Sequence, residues 1–453
     1  MTNKVVSIIL ASGTGERLGH HLPKQFIKIA GKTILEHTID VFEKNAATDE
    51  IYIVVNPLYR TLMEEIILRN SYKKVKKILN GGATRRESSQ IGINAVEHKN
   101  AKVLIHDAVR PFVSEKMIFD CVSALDRYDA VDTAIPASDT IIEVDDAMII
   151  KSIPERKYIM RGQTPQAFRL ETIKKAHELA EKEEKLSFTD DCGIVLYFGL
   201  TPVHVVRGEE KNIKITYIED VFLADKLFQL KAVEYCGNSE KENLSGKVIV
   251  IFGASKGIGS AISEKAKEYG ATIYGYSKSD GLDIKDFKEV ERVLAEVKEK
   301  EGKIDFVVNT AGILRMGKVE TRDMADIADE IAVNYIAAVN IVRASVPYLR
   351  ETKGSILLFT SSSYTRGRAL YSVYSSSKAA IVNFVQACSE ELNEEGIRIN
   401  TINPERTATP MRFENFGKEP VGSLLQPEKV ADVSIKTLVS DLTGQVIYVT
   451  KES

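Results

Sequence analysis

Two glycine-rich loops, each directly after an apolar run, constrain the fold of this chain more than any other sequence feature. The first loop spans residues 10–19 after the apolar run 5–10, and the second spans 253–259 after the apolar run 248–252. A strand, a glycine turn and a helix start can bind phosphate, because the turn brings free backbone N–H groups close to the ligand. The two loops differ in glycine spacing, so the sequence predicts two unrelated nucleotide-binding sites and no internal repeat.

Apolar runs of strand length recur along the chain, and each is followed by a turn and an amphipathic stretch. Early examples are 5–10, 51–55, 103–105 and 130–135. This alternation predicts open parallel sheets covered by helices on both faces. A length of 453 residues also exceeds that of one ordinary domain. The fold class expected is therefore α/β, with two doubly wound open-sheet domains.

A polar, turn-rich stretch separates the two halves. Residues 234–245 read EYCGNSEKENLS, and a new apolar run begins after Lys247. Clusters of Asn, Ser, Gly and charged residues mark loops between periodic segments. The predicted organisation is a first domain at 1–235, a linker at 236–245 and a second domain at 246–453.

The composition argues against several classes of function. The formal net charge is −3 and basic residues are interspersed with acidic ones, so we expect no basic face for nucleic acid. No apolar run approaches the roughly 18 residues of a membrane span. The start, MTNKVVSIILASGTG, is typical of a buried strand and not of a signal peptide. The four cysteines lie far apart without a CxxC pair, which argues against disulfides and structural zinc and favours a reducing cytoplasm.

The first loop carries the residue types that a nucleoside triphosphate needs. Gly13, Gly15 and Gly19 let backbone N–H groups approach phosphate oxygens. Arg17 and Lys24 offer positive charge at the point where a triphosphate would lose pyrophosphate. The loop lacks the GK[ST] ending of a Walker motif. Taken alone, it is also compatible with a simple tight turn.

Four segments carry a resemblance of the first half to a known family. They are LASGTGERLG and PKQF within 10–26, GGATRRES at 81–88, HDAVRP at 106–111 and NIKIT at 212–216. Together they resemble the 4-diphosphocytidyl-methylerythritol and ribitol-5-phosphate cytidylyltransferase family over roughly residues 3–230. The resemblance implies a Rossmann-like nucleotidyltransferase domain, in which a substrate phosphate attacks the α-phosphorus of CTP in line.

The resemblance implies that charged residues carry the chemistry of this domain. Lys24, Lys214 and Arg17 would stabilise the transition-state charge, and Asp107 would hold Mg²⁺ against the α-phosphate. The alternative for isolated lysines is a solvated surface position. Other positions implied to bind CTP or the second substrate are Ala11, Ser12, Gly13, Gly15, Gly82, Arg85, Ser88 and Arg110.

A further group is implied to reach the acceptor substrate, partly from a neighbouring subunit. It consists of Asp139, Thr140 and Arg156, which stands eight residues before the TPQ segment at 164–166. If this feature carries over, the protein is a homodimer or a higher homo-oligomer. Lys211 occupies a position where the family often has an acid, so the resemblance does not identify a second metal ligand.

The second half carries a second set of ordered motifs. They are GASKGIG at 253–259, NTAG at 309–312, Asn334, Ser361 and YSSSK at 374–378. In this order and spacing the half resembles the short-chain dehydrogenase/reductase family over about residues 246–450. The resemblance implies a Rossmann domain that reduces a carbonyl group with a nicotinamide cofactor.

Tyr374 and Lys378 form the predicted acid and its activator. A free tyrosine has a pKa near 10 and is a poor acid at neutral pH. Lys378 lies one helical turn away, where its charge can stabilise the phenolate. The resemblance implies that Ser361 binds the substrate carbonyl and that Asn334 holds a water in the proton relay. The adjacent Ser362 remains an alternative to Ser361.

The dinucleotide site is expected to favour NADPH. NAD enzymes place an acid at the end of the second strand, about 20 residues beyond the glycines. This chain has YGYSK at 274–278, so Lys256 and Lys278 can pair with the 2′-phosphate of NADPH. The alternative is an NAD enzyme with two solvated lysines. All positions predicted to bind the dinucleotide are Gly253, Ser255, Lys256, Gly257, Ile258, Gly259, Ser277, Lys278, Asp283, Asn309, Ala311, Gly312 and Thr409.

The substrate pocket of the second half carries two further expectations. Arg366 and Arg368 lie between the predicted catalytic serine and tyrosine, where one of them could bind a substrate phosphate. Family members commonly have Pro-Gly after the sixth strand, whereas this chain has Pro404 and Glu405. The loss of that glycine is expected to reshape the nicotinamide pocket. The short polar stretch 412–423 predicts a small lid.

The two halves make sense together if the product of the second is the substrate of the first. The whole chain resembles bifunctional enzymes of bacterial capsule pathways that reduce ribulose 5-phosphate and couple the resulting ribitol 5-phosphate to CTP. Alternatives with the same chemistry use arabinitol or xylitol phosphate, or methylerythritol phosphate beside an unrelated reductase. A regulatory nucleotide sensor is a further alternative, disfavoured by the intact catalytic motifs.

Overall fold

The computed structural model describes residues 4–13, 22–183, 188–236, 242–420 and 422–451, without the side chains of 229–236. The chain divides into two compact units, Met1–Ala224 and Asp225–Ser453. Each unit is described by itself. Part of the predicted linker, residues 237–241, lies outside the described residues, and so do the predicted site residues Gly15 and Arg17.

The first unit builds one large sheet and two short hairpins. Its strands are β1 (Val5–Ala11), β2 (Lys28–Ile29), β3 (Lys32–Thr33), β4 (Glu50–Val55), β5 (Val75–Asn80), β6 (Lys102–Asp107), β7 (Ala130–Pro136), β8 (Glu143–Val144), β9 (Ile150–Ser152), β10 (Met160–Gly162), β11 (Gln166–Arg169) and β12 (Val203–Arg207). Its helices are α1 (Ile34–Lys44), α2 (Arg60–Asn70), α3 (Arg85–Asn94), α4 (Glu115–Ala124), α5 (Leu170–Glu181) and α6 (Asp191–Tyr197), and α7 (Ile218–Cys236) continues into the second unit.

The large sheet is mixed, which differs from the open parallel sheet predicted for this half. Its order is β10-β7-β11-β6-β1-β4-β5, with β12 also paired to β7. Strands β6, β1, β4 and β5 run parallel, whereas β11 is antiparallel to β6 and β7. Parallel neighbours need a long crossover, usually a helix. The described chain between β7 and β11 contains the β8–β9 hairpin and β10 but no α-helix, so it returns antiparallel.

The parallel part of this sheet fixes the position of the candidate site. Strand β1 is buried along its whole length, and its alternate residues enter two different apolar clusters, so both faces of the sheet are covered. The carboxyl ends of β1, β5 and β6 lie at the same edge because the strands are parallel. Ala11, Asn80 and Asp107 are the last residues of these three strands.

The second unit is a fully parallel, doubly wound sheet, as predicted. Its strands are β13 (Val248–Phe252), β14 (Thr272–Tyr276), β15 (Phe306–Asn309), β16 (Ser355–Phe359), β17 (Arg398–Pro404) and β18 (Val446–Val449). Its helices are α8 (Gly257–Glu268), α9 (Phe287–Glu301), α10 (Met324–Ile331), α11 (Ala337–Thr352), α12 (Ser372–Asn393), α13 (Pro410–Phe416) and α14 (Pro427–Val439).

The strand order of this sheet is β14-β13-β15-β16-β17-β18. The order reverses at β13, and ligands of doubly wound sheets bind beyond the carboxyl ends of the strands at that point. Alternate residues of β13 enter two apolar clusters on opposite faces. Within the described part of the chain, every helix is too short or too polar to span a lipid bilayer.

Candidate active sites

The start of the first glycine loop is held by a side chain that the sequence analysis did not single out. Gln25 is buried, and its Nε2 donates hydrogen bonds to the carbonyl oxygens of Ala11 and Gly13, at 2.7 and 3.0 Å. It lies in the same short 3-10 turn as Lys24. Lys24 therefore directly precedes the residue that contacts Ala11 and Gly13, the described start of the predicted phosphate loop. The sequence feature that could have indicated this role is the polar Gln25 inside the PKQF segment.

Three residues predicted to bind CTP come together at the sheet edge. The hydroxyl oxygens of Ser12 and Ser88 lie 2.7 Å apart, and the backbone N–H of Gly82 donates to the Ser88 hydroxyl at 3.2 Å. A Cβ at Gly81 would lie 2.5 Å from the Cβ of Ser12, so the close approach of the two loops requires glycine there. This arrangement offers hydroxyl and backbone groups that can recognise the edge of a base.

Asp107 is the centre of a charged cluster at the end of β6. Its Oδ2 lies 2.9 Å from Lys214 Nζ and 3.6 Å from Arg110 Nε, and its Oδ1 lies 3.6 Å from Arg85 Nε. Burial acts to raise the pKa of the Asp107 carboxyl, but Lys214, Arg85 and Arg110 outweigh burial and hold that pKa well below its usual range. The carboxylate is therefore ionised. Residues from three separate motifs therefore meet at this strand end.

The donor set of this cluster fits a hard cation that is held largely by a substrate. The described residues contain no group of three or more His, Cys, Asp and Glu side chains that could hold a metal by themselves. One ionised carboxylate together with substrate phosphates is a common environment for Mg²⁺. Asp107 fits this requirement.

Arg110, predicted to bind substrate, is mostly committed to the protein. Its side chain is only 12% exposed, and its Nη1 donates to the carbonyl oxygen of Asn212 at 2.9 Å. Asn212 is itself buried and donates to the carbonyl oxygen of Thr164 at 2.9 Å. Because Lys214 follows two residues after Asn212, these bonds place its ammonium group against Asp107.

The residues predicted to reach the acceptor lie on an exposed arm. Arg156 Nη2 donates to the Thr140 hydroxyl at 2.8 Å, and Asp139 precedes Thr140 in the same exposed turn. Among the described residues, no hydrogen bond or ion pair joins these three to the cluster around Asp107. The arm between β7 and β10 also exposes Met148, Ile149 and Ile153, at 78%, 64% and 59%. A cluster of exposed apolar side chains is a common feature of interaction surfaces.

The second glycine loop has the geometry of a phosphate site. Gly253 and Gly257 have positive φ angles of 85° and 62°. A Cβ at Gly253 would lie 2.6 Å from the backbone nitrogen of Ala311, and a Cβ at Gly259 would lie 2.2 Å from the carbonyl oxygen of Gly253. Helix α8 begins at Gly257, so its free N–H groups point out of the loop.

The remaining residues predicted to bind the dinucleotide surround this loop. Thr409 caps α13, and its Cγ2 would lie 3.3 Å from a Cβ at Gly257. Asn309 Oδ1 accepts a hydrogen bond from the backbone of Ala311 at 3.1 Å, which shapes the turn before Gly312. Beside them, Ser255 is exposed and Ile258 packs on the sheet.

The turn after β14 contains an acid, Asp280, that no sequence motif indicated. The Ser277 hydroxyl donates to Asp280 Oδ2 at 2.6 Å, three residues into the turn that Lys278 opens. Lys256 is exposed on the glycine loop, and its Nζ lies 3.8 Å from a carboxylate oxygen of Glu414. Asp283 is exposed, and its Oδ1 accepts from the backbone N–H of Lys285. The predicted 2′-phosphate site therefore combines two lysines with nearby carboxylates.

The predicted catalytic residues of the second unit lie together. The Tyr374 hydroxyl is hydrogen bonded to Ser361, and Lys378 Nζ lies 5.7 Å from the Tyr374 ring centroid. Burial raises the pKa of Tyr374 to about 12, against the effect of the Ser361 bond. Burial also lowers the pKa of Lys378 to about 8, and its Nζ donates to the carbonyl oxygen of Phe359 at 3.0 Å. The geometry favours Ser361 over Ser362, which is exposed.

Asn334 stands at a π-helical turn, Ala332–Ile336, between α10 and α11. Its side chain donates to the carbonyl oxygen of Ile313 at 2.8 Å and accepts from the Ile313 N–H at 2.9 Å. Both functions of the amide are therefore used by the protein. A π-helical turn leaves backbone carbonyl groups without their usual helical partner. The backbone carbonyl group of Asn334 is thus a better candidate than its side-chain amide for holding the predicted water.

The departure at Glu405 has a local structural role. Its backbone N–H donates to the carbonyl oxygen of Val449, and its Oε2 accepts from the backbone N–H of Lys451 at 3.1 Å. The side chain thus continues the pairing at the end of β18. Arg366 and Arg368 are exposed, and within the described residues neither guanidinium makes an ion pair.

The predicted small lid is helix α13 with its flanking residues. The rings of Phe416 and Tyr371 lie 5.9 Å apart, and those of Tyr371 and Tyr374 lie 6.3 Å apart, both edge to face. Tyr371 therefore packs between the predicted lid and the predicted catalytic tyrosine, Tyr374.

Comparisons with known proteins agree with this division of the chain. The family model for 2-C-methyl-D-erythritol 4-phosphate cytidylyltransferase matches residues 5–230, and the short chain dehydrogenase model matches residues 280–419. The second match begins after the glycine loop at 253–259, so the assignment of that loop rests on its geometry.

Relatives match either the whole chain or one half. The bifunctional ribulose 5-phosphate reductase/CDP-ribitol pyrophosphorylase Bcs1 of Haemophilus influenzae is 45% identical over 99% of this chain and 96% of its own length. The 2-C-methyl-D-erythritol 4-phosphate cytidylyltransferase of Thermobifida fusca is 40% identical over 50% of this chain and 94% of its own. A solved 4-diphosphocytidyl-2C-methyl-D-erythritol synthase from Anaerococcus prevotii is 32% identical, with a TM-score of 0.46, and covers 50% of this chain and 96% of that one.

Proposed function

Since the chain belongs to the family of bifunctional ribulose 5-phosphate reductases and CDP-ribitol pyrophosphorylases, we propose that it makes CDP-ribitol in two steps. The second unit reduces ribulose 5-phosphate to ribitol 5-phosphate. The first unit then joins ribitol 5-phosphate to CTP and releases pyrophosphate. The observation that carries this proposal is the 45% identity, which extends over 99% of the chain and so includes both sites.

In the reduction, Tyr374 acts as the proton donor. A reduced nicotinamide, when bound, would supply the hydride that the carbonyl carbon accepts. Ser361 holds the carbonyl oxygen, and Tyr374 gives that oxygen its proton. The high pKa of Tyr374, about 12, keeps the hydroxyl protonated at neutral pH. Lys378 stabilises the phenolate that remains until a proton returns through water.

In cytidylyl transfer, a phosphate oxygen of ribitol 5-phosphate attacks the α-phosphorus of CTP, and the bond to the β-phosphate oxygen breaks. No covalent intermediate with the protein is required, so positioning and charge neutralisation supply the catalysis. Lys24 and Lys214 stabilise the charge that develops on the phosphate oxygens, together with Arg17. Asp107 would hold Mg²⁺, which neutralises the same charge.

We propose NADPH as the cofactor, within the nicotinamide dependence that the family indicates. Lys256 and Lys278 supply two positive charges near the expected 2′-phosphate, and the hydrogen bond from Ser277 occupies one carboxylate oxygen of Asp280. Replacing both lysines with alanine should raise KM for NADPH about 10-fold or more and leave KM for NADH nearly unchanged, because only NADPH loses a charge contact. The check is steady-state kinetics with each cofactor. An equal rise for both cofactors would contradict the assignment.

The exposed arm of the first unit supports a homodimer in which each arm reaches the neighbouring subunit. Replacing Ile149 and Ile153 with aspartate should convert the dimer to a monomer and raise KM for ribitol 5-phosphate, because Thr140 and Arg156 would no longer be in place. Light scattering after size exclusion gives the mass. Leu58→Asp is the matched control, since Leu58 is 84% exposed and lies in the turn after β4, which β11, β6 and β1 separate from β7 in the sheet. A dimer that survives the double substitution would contradict this interface.

The identity of the polyol phosphate is the part of the proposal that has close alternatives. Exposed Arg366 or Arg368 would bind the phosphate that all candidates share, so these residues do not discriminate among pentitols. The test compares pyrophosphate release with ribitol, arabinitol, xylitol and methylerythritol phosphates. The proposal predicts the highest kcat/KM for ribitol 5-phosphate.

The remaining assignments follow from this role. We place the reactions in the cytoplasm, where CTP and NADPH are supplied, and propose that CDP-ribitol serves capsule synthesis. We also retain a domain boundary within residues 236–245.

A further inference from the structure

A buried carboxylate behind the cytidylyl site has no assigned role. Asp191 is the first residue of α6 and is fully buried, at 0% exposure. Its Oδ1 accepts from Ser89 Oγ at 2.6 Å and from His177 Nε2 at 2.9 Å. Its Oδ2 accepts from Arg85 Nη1 at 2.7 Å. Three elements, α3, α5 and α6, therefore converge on one carboxylate.

This carboxylate is charged in spite of its burial. Burial acts to raise the pKa of Asp191, but Arg85 and the bond from His177 outweigh it and hold that pKa at about 2. A buried charge is costly unless it is paired and hydrogen bonded. The partners of Asp191 meet this condition.

Arg85 is shared between two carboxylates. Its Nη1 makes a direct hydrogen bond to Asp191, whereas its Nε stays 3.6 Å from Asp107 Oδ1. An arginine tends to close a bidentate pair with a single carboxylate when it is free to do so. Asp107 must keep an oxygen free to hold a cation and to face phosphate. The bond to Asp191 prevents Arg85 from taking that oxygen.

We propose that Asp191 is a positioning residue for cytidylyl transfer, which holds Arg85 away from a closed ion pair with Asp107 and so keeps Asp107 available. The inference rests on the proposed function of the first unit. Asp191 does not touch the reacting atoms. Its effect passes through Arg85, whose side chain is 28% exposed and whose Nε lies 3.6 Å from Asp107 Oδ1.

The test is a double-substitution cycle on the full chain. Asp191→Asn should lower kcat for pyrophosphate release about 10- to 100-fold, in the range typical of residues that orient a metal ligand. It should also weaken the binding of Mn²⁺·CTP, measured by electron paramagnetic resonance and calorimetry. Combined with Arg85→Gln, it should add little to the loss caused by Arg85→Gln alone, because the two residues act as one unit. Losses that multiply in the double variant would overturn the proposal.

Two controls separate positioning from folding. Ser89→Ala removes a partner of Asp191 Oδ1 but leaves the Arg85 bond, so kcat should stay close to that of the unsubstituted protein. Reductase activity reports on the integrity of the second unit in every variant. If Asp191→Asn does not fold, Arg85→Lys replaces it, since lysine keeps the charge but cannot bridge two carboxylates. Full activity of Arg85→Lys would overturn the proposal.

Failure of the proposed function gives a different pattern. In that case the unsubstituted protein binds Mn²⁺·CTP but releases no pyrophosphate with any pentitol phosphate. The inference is then judged on Mn²⁺·CTP affinity, where Asp191→Asn should still bind more weakly. Equal affinity of the two proteins would overturn it.

Discussion

Tyr374→Phe should lower kcat for reduction of ribulose 5-phosphate by about 10²- to 10⁴-fold, the range of general acid catalysis. Phenylalanine keeps the ring that packs on Tyr371 but removes the acidic hydroxyl that is hydrogen bonded to Ser361. Hydride transfer would then leave an unprotonated alkoxide. The remaining side chains at the site would stabilise its charge less well than a proton from Tyr374. NADPH oxidation followed by absorbance measures the loss.

The controls for this prediction lie on the same chain. Tyr371→Phe removes a neighbouring hydroxyl without touching the acid, so NADPH oxidation should stay nearly unchanged. Cytidylyl transfer with added ribitol 5-phosphate should also continue at the normal rate in Tyr374→Phe. A Tyr374→Phe protein that still oxidises NADPH within a few-fold of the normal rate would refute the assigned acid.

Lys214→Met should lower kcat for pyrophosphate release by about 10²- to 10³-fold, as expected when one group that stabilises transition-state charge is removed. Methionine retains the length of the side chain but not the ammonium group that lies 2.9 Å from Asp107. The loss should fall mainly on kcat, because the charge on the phosphate oxygens grows in the transition state. Pyrophosphate release from CTP and ribitol 5-phosphate measures it.

Lys211→Met is the matched control on the same segment, three residues earlier. Its pyrophosphate release should stay near normal. Reduction of ribulose 5-phosphate should be normal in both variants. Equal losses in the two variants would indicate a general effect of charge and would contradict the specific role of Lys214.

Local patterns predicted the parts of the sites whose residues are close in sequence. The four-residue spacing of Tyr374 and Lys378 placed both on α12, and the glycine spacing placed Gly253 directly after β13 and Gly259 in the first turn of α8. Steric constraints explain this success, because a Cβ at either glycine would meet backbone atoms. The HDAVRP motif likewise predicted that Asp107 lies at the end of a strand, which is β6.

Contacts between residues far apart in sequence could not be predicted in this way. Arg85 and Asp191 are separated by 106 positions, and their bond depends on how α3 and α6 pack. The antiparallel β11 was missed because periodicity does not give strand direction. The amide of Asn334 and the guanidinium of Arg110 bind the protein itself, which only the folded backbone reveals.

The central claim is that the two units carry out consecutive reactions. The most direct measurement mixes the pure protein with ribulose 5-phosphate, NADPH, CTP and Mg²⁺ and follows NADPH absorbance together with pyrophosphate release. We predict that both signals appear and that pyrophosphate release depends on NADPH. If NADPH is not consumed while added ribitol 5-phosphate still yields pyrophosphate, the reductase has another substrate and the claim is wrong.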